Sequence, residues 1–141
     1  MSAEENKTIA HRFFAEQDRL RGGPADALCA PVYTAYIAGS PPMNLAEHQQ
    51  FAQMFYGGFP DLSHTVDDTI AEGDKVVVRF TIRGTHTGDF MGIPATGKPT
   101  TVGAIAIFHV VDGKIVELRG QFDQMGMLQQ LGVLATPGEG E

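Results

Sequence analysis

The sequence predicts an α+β domain in which helices come first and a curved, mostly antiparallel sheet follows, with helices on its concave side. Three observations carry this expectation. Apolar residues recur at helical spacing as far as Pro60. From Leu62 onward they alternate with polar ones instead. Gly73-Asp74 and Asp112-Gly113 are tight-turn pairs that join the alternating runs into hairpins.

Each element can be read in order. Ser2 and Glu5 have capping-box spacing, and Ile9, Phe13, Phe14, Gln17 and Leu20 follow on one helical face until Gly22-Gly23 stops it. Pro24 opens a short second helix through Cys29, Pro31 ends it, and VYTAYI at 32–37 is a strand rich in β-formers. Asn44 and Glu47 repeat the capping-box spacing before a third helix, whose stripe runs through Leu45, His48, Phe51, Ala52, Phe55 and Phe59. Four strands follow at about 62–71, 75–87, 99–111 and 114–122. Val76, Val78, Phe80 and Ile82 alternate with Arg79, Thr81 and Arg83, so even positions point inward, and Leu62, Val66 and Ile70 agree. Strand 99–111 is apolar on both faces, as a strand between the core and a partner subunit would be. Asp123 caps a short closing helix that Gly132 ends, and residues 133–141 read as a flexible tail.

Composition removes several classes of function. The chain of 141 residues is long enough for one domain with a real core, and 43% hydrophobic residues is too many for a disordered chain. Ten Lys and Arg against seventeen Asp and Glu leave a net charge of -7, without the basic face that a nucleic acid would need. The lone Cys29 excludes a disulfide framework and a thiolate metal cluster, which suits a reducing compartment. MSAEENK carries acid where a signal peptide carries base, and no apolar run approaches the ~20 residues that span a bilayer. The expected place is the cytoplasm, without a membrane partner. Metal-ligand spacing, GxSxG, Walker and dinucleotide glycine patterns are all missing.

The segments GTHTGDFMGIPATGKPT at 84–100, VDGKI at 111–115 and FDQMGMLQQLG at 122–132 resemble the SnoaL-like polyketide cyclase family. With FPDL at 59–62 and AEGDKVVVRF at 71–80 the resemblance covers almost the whole chain. It implies the nuclear transport factor two-like cone, a pocket between helices and sheet, a homodimer packed through its sheets, and no metal or organic cofactor. Members with known chemistry close a ring by an intramolecular aldol reaction, with an Asp as acid and base and a His beside it. On the register fixed by VDGKI, the family's His falls on Ala106, six residues before Asp112, and its Asp on Gly120, eight residues after it. The family ending Glu-His-Trp-Asp reads here as Glu117-Leu118-Arg119-Gly120. Neither Ala nor Gly can move a proton. His109 and Asp123 keep the same separation, but using them would displace the turn by three residues.

Other side chains must then do any chemistry. On even-inward parity the polar groups facing the pocket are His64, Asp68 and His86, with Tyr36 or Tyr33 from the first strand. An imidazole in an apolar cavity, tuned by burial or by a neighbouring carboxylate, is how a base near neutral pH is made. His64, at about mid-strand, leads on that ground, against the alternative of a satisfied core histidine. His86 ends its strand near the pocket rim, where its alternative is to hold the following loop. Asp123 lies three residues past Gly120, where its alternative is to cap the helix. These three are the candidate catalytic residues. The expected pocket lining is Phe14, Tyr36, Phe51, Phe55, Phe59, Ala106, Phe108, Leu118, Gly120 and Phe122, and His48 can reach the cavity from its helix. His109 and Arg119 have the opposite parity and belong to the sheet's other face.

Two functions follow from these residues. One is an enzyme doing cyclase-, isomerase- or lyase-like proton transfer on a small, largely apolar carbonyl or ring compound, with a histidine in place of the missing Asp. The other is a carrier, whose pocket is enlarged by Ala106 and Gly120 and holds a hydrophobic ligand without turning it over. A third reading is a site changed, by divergence or design, to host another reaction.

Overall fold

The structure, a computed structural model, describes residues 2–135. Both capping boxes form. Ser2 and Glu5 exchange bonds of 3.1 Å at the start of α1 (Ala3–Leu20), and Asn44 and Glu47 exchange bonds of 2.9 Å at the start of α2 (Leu45–Gly58). Helix α1 stops at Arg21, not at the glycine pair. This residue takes a left-handed φ of 54°, and its guanidinium donates to the carbonyls of Pro60 and Leu62.

The short second helix is a correction. Only a 3-10 turn, Asp26–Leu28, forms, and strand β1 (Cys29–Ile37) begins three residues before the VYTAYI run. Cys29 already pairs with Ile115, and Pro31, which lacks a ladder donor, sits where the ladder is interrupted between Cys29 and Thr34. A two-residue strand β2 (Met43–Asn44) pairs with β1 just ahead of α2. Then come β3 (Ser63–Glu72), β4 (Lys75–Thr85), β5 (Pro99–Val111), β6 (Lys114–Phe122) and α3 (Gln124–Gln130).

The six strands lie in the order β2-β1-β6-β5-β4-β3. Strands β3 to β6 form the antiparallel hairpins expected, whereas β1 joins β6 in parallel. In β4 and β5 the even positions face the core, from Val76 and Val78 to Ala106, Phe108 and Val110, all buried. Ile105, Ile107 and Val111 stay 48%, 40% and 41% exposed on the other face. Helices α1 and α2 cover the inner face through Phe13, Phe14 and Phe51, so the sheet and the two helices share one core.

Strand β3 departs from the expected alternation. Its ladder shifts between Val66 and Asp68, where one extra residue is inserted opposite β4. His64 and Val66 keep the inward face before this bulge, and beyond it Ile70 turns out to 68% exposure. A second cluster, built on Phe59, Phe90, Met127 and Leu131, lies under the 86–98 connection and α3. Val133 and Leu134 are tied to Leu128 by their backbone N–H groups, and the rest of the expected tail, 136–141, lies outside the described residues. Among the described residues no helix is long and apolar enough to cross a membrane.

Candidate active site

Between α1, α2 and the concave face of the sheet lies an apolar cavity of about 110 Å³. Of the expected lining, Phe14, Phe51, Phe55, Ala106, Leu118, Gly120 and Phe122 reach it. Ala106 and Gly120 are direct cross-strand partners, so the two positions without functional side chains form one stretch of bare wall. A Cβ on Gly120 would meet only Ile37, at 3.8 Å, so packing does not demand the glycine.

Three expected lining residues sit elsewhere. Phe108 is fully buried beneath the cavity, edge-on to Phe13 at 5.1 Å. Phe59 belongs to the second cluster and lines a smaller hollow beside the cavity. Tyr36 lies outside the lining with Arg119 stacked 4.0 Å over its ring, because the β1 alternation turns Tyr33 and Ala35 inward. Of the two tyrosines weighed, Tyr33 is the buried one.

His64 opens on the cavity from β3, between Phe14 and Phe80 at 5.4 and 5.9 Å. Its partner is Asp18, in the last turn of α1. One carboxylate oxygen lies 2.7 Å from His64 Nδ1 and the other accepts the His64 backbone N–H at 2.8 Å. Tyr56 donates its hydroxyl to the same carboxylate at 2.8 Å, and the Arg21 guanidinium lies 4.9 Å from the centre of the Tyr56 ring. Burial would raise the Asp18 pKa, but these hydrogen bonds outweigh it and hold the carboxyl below its ordinary value. An ionised carboxylate only accepts, so the network assigns the imidazole proton to Nδ1 and leaves the Nε2 lone pair free. The Asp18–His64 pair has the geometry of an imidazole held by an orienting carboxylate, at the wall of an apolar chamber.

Asp68, the carboxylate expected beside His64, points away. After the bulge it emerges on the outer face, and both Nε and an Nη of Arg79 donate to it at 2.8 and 2.6 Å. His86 is not at the rim. It is fully buried, stacked 5.2 Å from Phe59, and its Nδ1 accepts the Thr96 backbone N–H at 3.3 Å with the Thr96 hydroxyl at 3.0 Å. Its Nε2 is sealed without a partner among the described residues. Asp123 is exposed and caps α3 by accepting the Gly126 N–H at 2.9 Å. His109 bonds Asp74 at 2.6 Å outside the cavity.

The cavity holds further polar groups. His48 in α2 is buried with its Nδ1 2.7 Å from the Tyr33 hydroxyl, and burial pushes its pKa down to about 4. Gln17, one residue before Asp18, lines the wall with its amide making no hydrogen bond among the described residues. Asp18 is absent from the sequence reading because the contact spans 46 positions. Its one signal is a carboxylate one turn beyond Phe14, bordering the apolar face of α1. Among the described residues no three His, Cys, Asp or Glu side chains gather as metal ligands would.

The family model described as SnoaL-like polyketide cyclase matches residues 8–131. Among characterised relatives, aklanonic acid methyl ester cyclase DnrD of Streptomyces peucetius is 37% identical over 60 residues, which is 43% of this chain and 41% of that cyclase. The matched stretch is thus well under half the length of that enzyme. Among solved structures, AclR from Streptomyces galilaeus superposes with a TM-score of 0.86 at 28% identity, covering 96% of this chain and 85% of that one. TsrD from Streptomyces laurentii gives 0.82 at 28% identity, covering 95% and 99%.

Proposed function

Because this chain belongs to the SnoaL-like polyketide cyclase family, we propose that it performs acid/base chemistry of the cyclase, isomerase or lyase type without a cofactor. The substrate is a small, largely apolar carbonyl or ring compound, and His64, oriented by Asp18, is the base. The observation that carries this is the 2.7 Å contact between Asp18 and His64 Nδ1 at the cavity wall. Such a carboxylate fixes the tautomer and stabilises the imidazolium that forms when Nε2 takes a proton from carbon. The resemblance to aklanonic acid methyl ester cyclases makes an enolisable polyketide ester the first substrate to try. The family's own acid/base positions are Gly120 and Ala106, so turnover would run through His64.

A carrier function is the second reading, favoured by the bare wall at Ala106 and Gly120. One experiment separates the two. In D2O, the enzyme should wash deuterium into the α-carbon of 2-tetralone, a compact apolar ketone, and His64→Gln should abolish the exchange while keeping the ketone bound. Binding without exchange in the unchanged protein would leave the carrier reading.

The proposal includes a cytoplasmic homodimer. Ile105, Ile107 and Val111 form an exposed apolar row on the outer face of the sheet, which a second copy would cover. Sedimentation at micromolar concentration checks this, and a clean monomer would remove it.

A further inference from the structure

A second polar pair reaches the same cavity through one member, His48 in its wall with Tyr33 bonded behind it, on elements that the Asp18–His64 pair does not use. Tyr33 in β1 and His48 in α2 are 2% and 4% exposed, with rings nearly parallel and centres 5.9 Å apart. The direction of the hydrogen bond between the Tyr33 hydroxyl and His48 Nδ1 follows from counting donors. Were the ring proton on Nδ1, the hydroxyl would accept it, and its own O–H would be buried with no acceptor among the described residues. With the hydroxyl donating to Nδ1 both groups are satisfied, and the ring proton must then sit on Nε2. This nitrogen makes no protein hydrogen bond among the described residues, yet it is not one of the sealed unpartnered atoms, and His48 is part of the cavity surface.

We propose that His48 is a second catalytic residue, a neutral imidazole whose Nε2–H receives the oxygen of the substrate carbonyl, with Tyr33 as the positioning residue that sets its tautomer. This rests on the reading of His64 as the base. Burial lowers the His48 pKa and raises that of Tyr33, so both stay neutral in the working range of a histidine base. Phe51, whose ring centre lies 6.3 Å from that of His48, brings no side-chain donor, and the amide donors elsewhere in the lining are those of Gln17 and Gln121.

The step balances without a co-reactant. His64 Nε2 takes the proton from the carbon next to the carbonyl. That C–H electron pair becomes the C=C bond of the enolate, and the carbonyl π pair moves to oxygen, where the His48 N–H meets the developing charge. In a ring closure the C=C pair of the enolate bonds to a second carbonyl carbon of the same molecule and the first C=O re-forms, while the π pair of the second carbonyl moves to its own oxygen, which takes the proton from His64. Preorganised donors of this kind typically contribute ~10²–10³-fold in rate.

The test is histidine nitrogen-15 NMR on the full chain, with 2-naphthol as an oxyanion probe. The free protein should show His48 in the Nε2–H tautomer, and bound 2-naphthol should move that proton downfield. Tyr33→Phe keeps the ring but should let both tautomers appear and weaken 2-naphthol by roughly three- to tenfold, the equivalent of one neutral hydrogen bond. An Nδ1–H tautomer for His48, failure of 2-naphthol to bind, or a bound probe that leaves the Nε2–H resonance in place would each overturn the assignment. His64→Gln keeps the two readings apart. It should preserve the His48 tautomer and the probe-induced shift while α-deuterium exchange of 2-tetralone is lost. Equal exchange rates in His64→Gln and the unchanged protein would sink the base and leave the donor standing, whereas an absent shift in the unchanged protein would sink the donor alone.

Discussion

His64 and His86 look alike in the sequence, two even-numbered histidines on neighbouring strand segments, and the fold gives them opposite surroundings. His64 has a carboxylate on one nitrogen and the cavity beside the other. His86 has Thr96 on one nitrogen and a sealed core around the other. The packing beneath them explains the difference. Around His86 the 86–98 connection is pressed onto the end of α2. There Thr87 and Gly88 donate to the Gly58 carbonyl at 3.2 and 3.1 Å, and a Cβ on Gly88 would lie 2.2 Å from the Gly57 oxygen. That contact satisfies a carbonyl at the helix end and closes the region to substrate. His64 shares its cavity lining with the small residues Ala106 and Gly120. Residue type and strand parity are therefore poor guides to a base. The partner on one ring nitrogen and the access to the other decide it.

The largest effect should come from exchanging these two histidines. His64→Gln should cut turnover by ~10²–10⁴-fold with folding intact, since Gln keeps size and polarity but cannot take the proton. His86→Gln should do the reverse, keeping the rate per folded molecule and losing about 1–3 kcal/mol of stability. Denaturant melts paired with single-turnover rates check both, and a large rate loss in the His86 variant would break the comparison.

The third buried histidine sharpens it through pH. Folded His48 titrates near 4, below the ~6.5 of the unfolded chain, so the unfolded state binds the extra proton first. Its contribution to stability is complete above pH 6.5 and is lost as pH falls toward 4, by about 1 kcal/mol per pH unit. Urea midpoints measured between pH 4.5 and 7.5 should show this slope in the native chain and lose it in His48→Gln. Equal slopes would mean that His48 is solvated.

Asp18→Asn tests the feature that separates His64 from His86. The amide has the size and shape of the carboxylate it replaces, but it no longer stabilises an imidazolium or fixes the proton on Nδ1, so the rate should fall by up to ~10⁴-fold, no further than in His64→Gln. The sign of the acid dependence is also fixed. The Asp18 pKa is held below its unfolded value, so its contribution is present above about pH 4 and lost as pH falls through the folded value. The variant should lack that part of the acid transition, and a full rate in Asp18→Asn would return His64 to the status of a core residue.

Local chemistry was legible in the sequence, and most long-range chemistry was not. The capping boxes at Ser2 and Asn44 located both long helices, and the VDGKI turn located the β5–β6 hairpin, although the turn alone would set Ala106 opposite Arg119 and an unforeseen bulge between His109 and Val110 brings it opposite Gly120. These signals span a few residues each. The Asp18–His64 contact depends on how α1 lies across β3, a matter of tertiary packing that no spacing encodes. The parallel docking of β1 on β6 is equally non-local, since no hairpin turn joins the two strands. The bulge after Val66 is a local event without a glycine to mark it, and it reverses the face of every later residue in β3.

That reversal supports the smallest prediction. Even parity would place Asp68 in the cavity as the acid partner of His64, and Asp68→Asn would then resemble Asp18→Asn. The bulge instead leaves Asp68 paired with Arg79 on the outer face, their side chains 63% and 56% exposed, where solvent screens the ion pair and the neighbouring Asp67 stays near the same guanidinium. Asp68→Asn should therefore leave 2-tetralone exchange, its pH profile and the denaturation midpoint within error of the unchanged protein. The measurement is informative because Asp18 meets His64 at the cavity wall whereas Asp68 meets Arg79 on the outer face of the sheet. If Asp68→Asn slowed exchange as much as Asp18→Asn, the β3–β4 register would have to slip by one residue at the bulge. The carboxylate serving His64 would then come from the strand and not from the helix.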